Sequence, residues 1–149
     1  RWVPPTLDLA CAIASSARDE TYNTPPLASL FLMVHQLEWF LANGGLEWAA
    51  RRCDISAEIL YGWAEASDLA SPFVAKPDER SHVVGTVDLV PALDAAKVAA
   101  VLRANGVLDT ESYRKLGRNQ LRIALYPAIE PADVAALCAC VDYVAAALS

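Results

Sequence analysis

The sequence predicts an α/β fold in which long helices are followed by a small mixed sheet packed on helices. Three observations carry this reading. Apolar residues between Pro26 and Trp63 recur at helical spacing in two long runs. The character changes after residue 70, where His82 to Val90 and Leu121 to Tyr126 alternate as strands do. Helical spacing returns from Asp94 to Arg103 and from Pro131 to Leu148, so strand, helix, strand, helix builds an α/β layer.

Taken in order, Leu7, Ala10, Cys11 and Ala14 fit a short helix, and a polar stretch from Ser15 to Thr24 reads as a loop. Thr24 is placed to cap the next helix, with Pro25 at its first position. That helix carries Leu27, Leu30, Phe31, Val34, Leu37 and Leu41 inward, and Asn43-Gly44-Gly45 ends it. A second helix presents Leu46, Ala49, Cys53, Leu60 and Trp63, and Ser71-Pro72 marks a turn. In the first strand Val83, Val87 and Leu89 share one face, with Thr86 and Asp88 on the other. Asp94 caps a helix whose inward residues are Val98, Val101 and Leu102, and Asn105-Gly106 closes it. Val107 to Thr110 is a short extended piece, and Glu111 to Gln120 a polar, basic segment. Pro131 opens the last helix, with Val134, Leu137, Val141, Val144 and Leu148 inward.

Bulk properties bound the function. A chain of 149 residues, 55% hydrophobic and 20% charged, can bury a core without disulfides or metals. The net charge of -6 disfavours nucleic acid, which rewards clustered Lys and Arg. A few arginines can still form a local anion site on an acidic protein. Cys11, Cys53, Cys138 and Cys140 read as reduced, mostly buried thiols of a cytoplasmic protein, and no metal set is legible. The longest apolar run, Leu27 to Val34, is too short to span a bilayer. The start, Arg1-Trp2-Val3-Pro4-Pro5, carries neither a secretory pattern nor an initiator methionine and reads as the interior of a longer protein.

Two segments could carry chemistry. Thr21-Tyr22-Asn23-Thr24-Pro25-Pro26 is either an ordinary turn and cap or a cradle for a phosphate, which favours the free N–H groups of a helix start. Tyr113 to Arg122 holds four cations in ten residues, and is either a solvated basic loop or an anion site. Strand phase puts Leu121, Ile123 and Leu125 on the core face, so Arg122 points the other way beside Ala124, whose small side chain leaves room for a ligand. His35 reads as a packed histidine and His82 as an exposed one. Trp2, Trp39, Trp48 and Trp63 read as core or interface aromatics.

These segments, in this order, resemble phosphoserine aminotransferases of the actinobacterial type. The resemblance runs over essentially the whole chain, through Arg1-Trp2-Val3-Pro4, Thr21 to Pro25, Asn43-Gly44-Gly45-Leu46, Val83-Val84-Gly85-Thr86, Leu102 to Gly106 and Tyr113 to Arg122. It implies the C-terminal portion of a fold-type I pyridoxal 5'-phosphate enzyme. Residues 1–25 would be the tail end of the large cofactor-binding domain and 26–149 the small domain with its connecting helices. It further implies a cytoplasmic homodimer of serine biosynthesis, moving the amino group of glutamate to 3-phosphohydroxypyruvate to give O-phosphoserine and 2-oxoglutarate. By the same likeness Asn23 and Thr24 would reach the cofactor phosphate of the partner subunit, and Arg122 would hold the substrate carboxylate. Tyr113 and Arg114 fall where many relatives carry a His-Arg pair near the substrate phosphate. The stretch between Arg114 and Arg122 is longer than in the common bacterial form. The Schiff-base lysine of the family has no counterpart among Lys76, Lys97 and Lys115, so the resemblance implies a piece inactive by itself, with neither nucleic acid nor membrane as partner. The competing readings are a free-standing small-molecule-binding α/β module without catalysis and a purely structural dimerisation piece.

Overall fold

A computed structural model describes residues 2–148, so Arg1 of the opening motif lies outside the described residues. The chain divides into two compact units, Arg1–Asn43 and Gly44–Ser149.

In the first unit, α1 (Leu9–Ser16) starts where the Asp8 carboxylate accepts from the Ala10 N–H at 2.9 Å. The loop that follows leads to α2 (Leu27–Ala42), which begins later than the sequence predicts: Pro26 occupies the cap position and no side chain caps it. Consecutive prolines explain the difference. Pro26 disfavours helical torsions at Pro25, so the helix can start only beyond both rings, and Thr24 is left outside it. Asn43 closes α2, its side-chain amide donating to the Trp39 carbonyl at 2.8 Å. None of the residues of α2 is buried, and Phe31 is 63% exposed. His35 is therefore not the packed histidine expected. With no buried face to enter, it meets Glu38 at 3.2 Å and lies edge-on to Phe31 on its own helix.

The second unit opens at Gly44 and Gly45, with φ of 108° and 66°, left-handed torsions that favour glycine. The helix α3 (Gly45–Ala66) follows. Its buried stripe, Ala49, Cys53, Ser56, Ala57, Leu60, Tyr61 and Ala64, steps by three and four residues. Leu46, expected inward, is exposed at the helix start, and Trp63 is partly buried with its indole N–H on the Asp142 carboxylate at 3.1 Å.

Three strands follow: β1 (Ala70–Pro72), β2 (Val84–Leu89) and β3 (Gln120–Ala124). The expected turn at Ser71-Pro72 is instead the edge strand β1, paired Ala70 to Leu89 and Pro72 to Val87. An edge is where a strand tolerates proline, because the missing N–H faces away from the ladder. The order is β1-β2-β3 and every pairing is antiparallel, not mixed. The connection explains this. The helix α4 (Ala95–Ala104) leaves the end of β2, and the chain then returns along the far edge of β3, where Glu111 pairs with Leu121. The return lets β3 start beside the end of β2, with Gln120 opposite Asp88 and Ala124 opposite Val84.

The Asp94 carboxylate caps α4, accepting from Ala96 and Lys97 as expected. The last helix, α5 (Pro131–Leu148), buries Val134, Cys138, Val141, Val144 and Ala145, whereas Leu148 is exposed. Its 18 residues, with a mean hydropathy of 1.5, are long and apolar enough to cross a bilayer by composition, yet this helix packs on α3 and α4 as part of the core. Gly85, Val87 and Leu89 of β2 face the core with Leu121, Ile123 and Leu125. At Gly85 an added Cβ would lie 2.2 Å from the Leu60 side chain, so glycine here lets α3 approach the sheet. Cys53 and Cys138 are buried, Cys11 is partly buried and Cys140 is exposed; all four are free thiols.

Candidate functional site

Alternation along β3 settles the direction of Arg122. Leu121 and Ile123 are buried in the core, and Arg122 is exposed on the opposite face, across from Thr86 of β2. It lines a pocket of about 540 Å³ with Val84, Asp109, Ala124 and Tyr126. Ala124, the small neighbour on the same face, is one of the lining residues.

The arginines of the described chain fall into two groups. Arg18, Arg51, Arg52, Arg80, Arg103 and Arg118 each pair with a carboxylate. Among the described residues, neither Arg114 nor Arg122 forms an ion pair or a side-chain hydrogen bond. An unpaired guanidinium keeps its planar fork of donors available to a carboxylate or phosphate. Tyr113 and Arg114 are exposed on a turn closed by the Leu116 N–H on the Tyr113 carbonyl at 2.9 Å.

Arg118 belongs to the architecture instead. It grips Asp88 with two nitrogens, at 2.5 and 3.2 Å, and stacks on the Phe73 ring at 4.7 Å. The hydrogen bonds and charge of Asp88 raise its pKa further, so it stays a cation. Asn119 ties three elements together. Its amide nitrogen donates to the carbonyls of Leu89, Val90 and Leu93, and its oxygen accepts from the Ala95 N–H at 2.8 Å. Buried Gln120 donates to Asp88 at 2.9 Å.

Beside Arg122 lies a second charged group. Arg103, at the end of α4, donates to Glu111 at 2.6 and 3.0 Å and to Asp109 at 2.9 Å. Asp109 adopts φ 63°, a torsion that aspartate tolerates better than most side chains. The hydrogen bonds from Arg103 hold the Glu111 carboxyl below its usual range, followed by its own backbone hydrogen bond and by the charges of Arg103 and Arg122. Sequence reading missed Arg103, Asp109 and Asn119. The six- and eight-residue separations of the ion pairs have no regular period, and Asn119 resembles any polar loop residue.

Asn23 and Thr24 lie in the first unit, on the exposed loop before α2. The Thr21 hydroxyl donates to the Asn23 carbonyl, and neither the Asn23 amide nor the Thr24 hydroxyl has a side-chain partner among the described residues. His82 is exposed as expected, with Nδ1 2.6 Å from the Asp54 carboxylate. Neighbouring Arg80, nearly buried, bonds Glu65 and stacks on Tyr61. Among the described residues no group of His, Cys, Asp and Glu could hold a metal ion.

The fold defines the class first. It is the fold of part of solved phosphoserine aminotransferases. A solved phosphoserine aminotransferase, studied for radiation damage of its Schiff base, superposes with a TM-score of 0.84 at 24% identity, over 99% of this chain and 40% of that one. The enzyme from Bacillus circulans subsp. alkalophilus superposes with a TM-score of 0.85 at 21% identity, over 99% of this chain and 39% of that one. In sequence, the chain is 58% identical over 97% of its length to 38% of a phosphoserine aminotransferase from a Nocardioides species. It is 60% identical, again over 97% of its length, to 39% of a protein from Mycolicibacterium vanbaalenii provisionally named phosphoserine aminotransferase. No protein-family model matches. The chain is thus homologous to the C-terminal portion of the phosphoserine aminotransferases, and it spans about two fifths (38–39%) of the length of these relatives.

Proposed function

We propose that this chain is the C-terminal part of an enzyme that transfers the amino group of glutamate to 3-phosphohydroxypyruvate, giving O-phosphoserine and 2-oxoglutarate. One observation carries the reading. Arg122 is an unpaired cation in an open pocket beside a small residue, on a chain where most other arginines are already matched to carboxylates. Both amino donors and keto acceptors of the reaction present an α-carboxylate, and the fork of Arg122 suits it. Arg114, also unpaired, and Tyr113 are assigned to the substrate phosphate. Residues 1–25 are read as the tail of the large domain and 26–149 as the small domain.

Pyridoxal 5'-phosphate, when bound, supplies the electron sink for the exchange of the amino group. Asn23 and Thr24 fit its phosphate, because both are exposed neutral side chains with donors not engaged by side chains of their own unit. They would hold the cofactor of the partner subunit in a homodimer. The lysines do not fit the covalent role. Lys76 is exposed and paired with Glu79, and Lys97 and Lys115 lie on exposed surface. This chain therefore binds and orients, while the covalent attachment lies elsewhere in the protein. A cytoplasmic place in serine biosynthesis follows from that reaction. The direct test is to supply the purified full-length protein with glutamate and 3-phosphohydroxypyruvate and to follow O-phosphoserine and 2-oxoglutarate. Equal amounts of both products are expected, and no turnover of that pair would overturn the reading.

A further inference from the structure

Asp109 lines the same pocket as Arg122, and Glu111 lies close enough to feel its charge. Either carboxylate would be a natural partner for Arg122, yet both are held by Arg103, whose Nη2 reaches Asp109 at 2.9 Å and Glu111 at 3.0 Å while Nε reaches Glu111 at 2.6 Å. The guanidinium fork can serve two carboxylates at once because its donors lie in one plane at fixed angles. We propose that Arg103 is a positioning residue for substrate binding: by occupying Asp109 and Glu111 it keeps Arg122 unpaired and open to the substrate carboxylate. The inference rests on Arg122 being the carboxylate-binding residue.

The mechanism is competition. Arg103 sits at the end of α4 and does not line the Arg122 pocket. Its removal leaves two carboxylates without a partner, next to a cation without one. The Asp109 side chain is 86% exposed and free to turn, and a substrate carboxylate must then displace it. A surface ion pair of this kind corresponds to roughly a 1.4- to 5-fold change in an equilibrium constant. The cost falls on binding and not on the chemical step.

The test uses the full-length holoenzyme, with glutarate as a dicarboxylate that has no amino or keto group to react. Arg103→Ala should weaken glutarate binding about two- to fivefold by calorimetry. KM for glutamate should rise in proportion, with kcat changed less than about twofold. Adding Asp109→Asn and Glu111→Gln to Arg103→Ala should return both constants close to the parent values, which repair of a merely structural defect would not do. If Arg103→Ala does not fold, Arg103→Lys keeps the question open to measurement. A single ammonium lacks the fork, so binding should weaken about twofold and again recover with Asp109→Asn. Weakened binding that the neutralised carboxylates fail to restore, or unchanged glutarate affinity in both Arg103 variants, overturns the proposal. Arg122→Ala serves as the control on the premise: if it leaves glutarate binding intact, the reading of Arg122 itself has failed, independently of Arg103.

Discussion

Replacing Arg122 by alanine tests the assignment of the carboxylate site, and its size can be worked from the geometry. Arg122 is exposed in the second unit, and its pocket is bounded by only a few residues. An ion pair formed in so open a setting contributes about 0.2–1 kcal/mol, no more than about fivefold in affinity. A pair closed off from water inside a complete active site is different: losing one partner costs about 2–5 kcal/mol. Arg122→Ala in the full-length holoenzyme should therefore lower kcat/KM by roughly 30-fold to several thousand-fold. Glutamate and 3-phosphohydroxypyruvate should suffer alike, because the α-carboxylate is common to both. Arg122→Lys should recover only part, since a point charge cannot form two parallel hydrogen bonds. Arg114→Ala provides the contrast, depressing kcat/KM for the phosphorylated substrates and sparing glutamate. Steady-state kinetics of both half-reactions measure all of this. Intact glutamate kinetics in Arg122→Ala would refute the assignment. A loss below about fivefold would mean that the site stays as open in the complete enzyme as it is here.

Asn23→Ala with Thr24→Ala should weaken retention of pyridoxal 5'-phosphate at least tenfold, since hydrogen bonds to a charged group contribute about 1.5–3 kcal/mol each; equilibrium dialysis of the holoenzyme would show unchanged affinity if they do not touch it. This chain treated with pyridoxal phosphate and borohydride should yield no stoichiometric pyridoxyl-lysine by peptide mapping, and a single fully labelled lysine would contradict the division of labour. Gly85→Ala should destabilise the protein by about 1–3 kcal/mol in denaturant titrations, as overpacking does, because Leu60 is only 1% exposed and cannot swing aside. Among the thiols, exposed Cys140 should react with a disulfide reagent at pH 8 well before buried Cys138, whose pKa burial pushes up to about 11. The same shift makes the folded form hold its proton above the ordinary value of 9.0, so the contribution of Cys138 to stability is complete below pH 9.0 and declines as pH rises towards 11.

The sequence was most legible where one period dominates. The alternation around Arg122 gave its direction, and Asp94 gave the start of α4, because both follow from local geometry. Other features depend on what lies across space. Pro72 punctuates a turn in isolation but sits in an edge strand once β2 is beside it. The antiparallel order depends on Glu111 pairing with Leu121, an interaction with no signature in either residue. His35 lies on an apolar stripe, and the stripe has no buried face in which to pack it. In the basic segment, charge alone could not separate Arg118, committed to Asp88 and Phe73, from the unpaired Arg114 and Arg122.

The Asn119 hub has a consequence for how this region can vary. Three carbonyls and one N–H converge on that side chain, fixing the entry to β3 three residues ahead of Arg122. Residues 112–117 sit upstream of this anchor, exposed or only partly buried. Lengthening or shortening them would alter the loop, while the strand register, and with it the height of Arg122 above the sheet, stays where Asn119 pins it. On the proposed assignment of Arg122 to the carboxylate and of Arg114 to the phosphate, the two duties are uncoupled: the loop could be rebuilt for a different acceptor group while the strand that carries Arg122 is inherited unchanged.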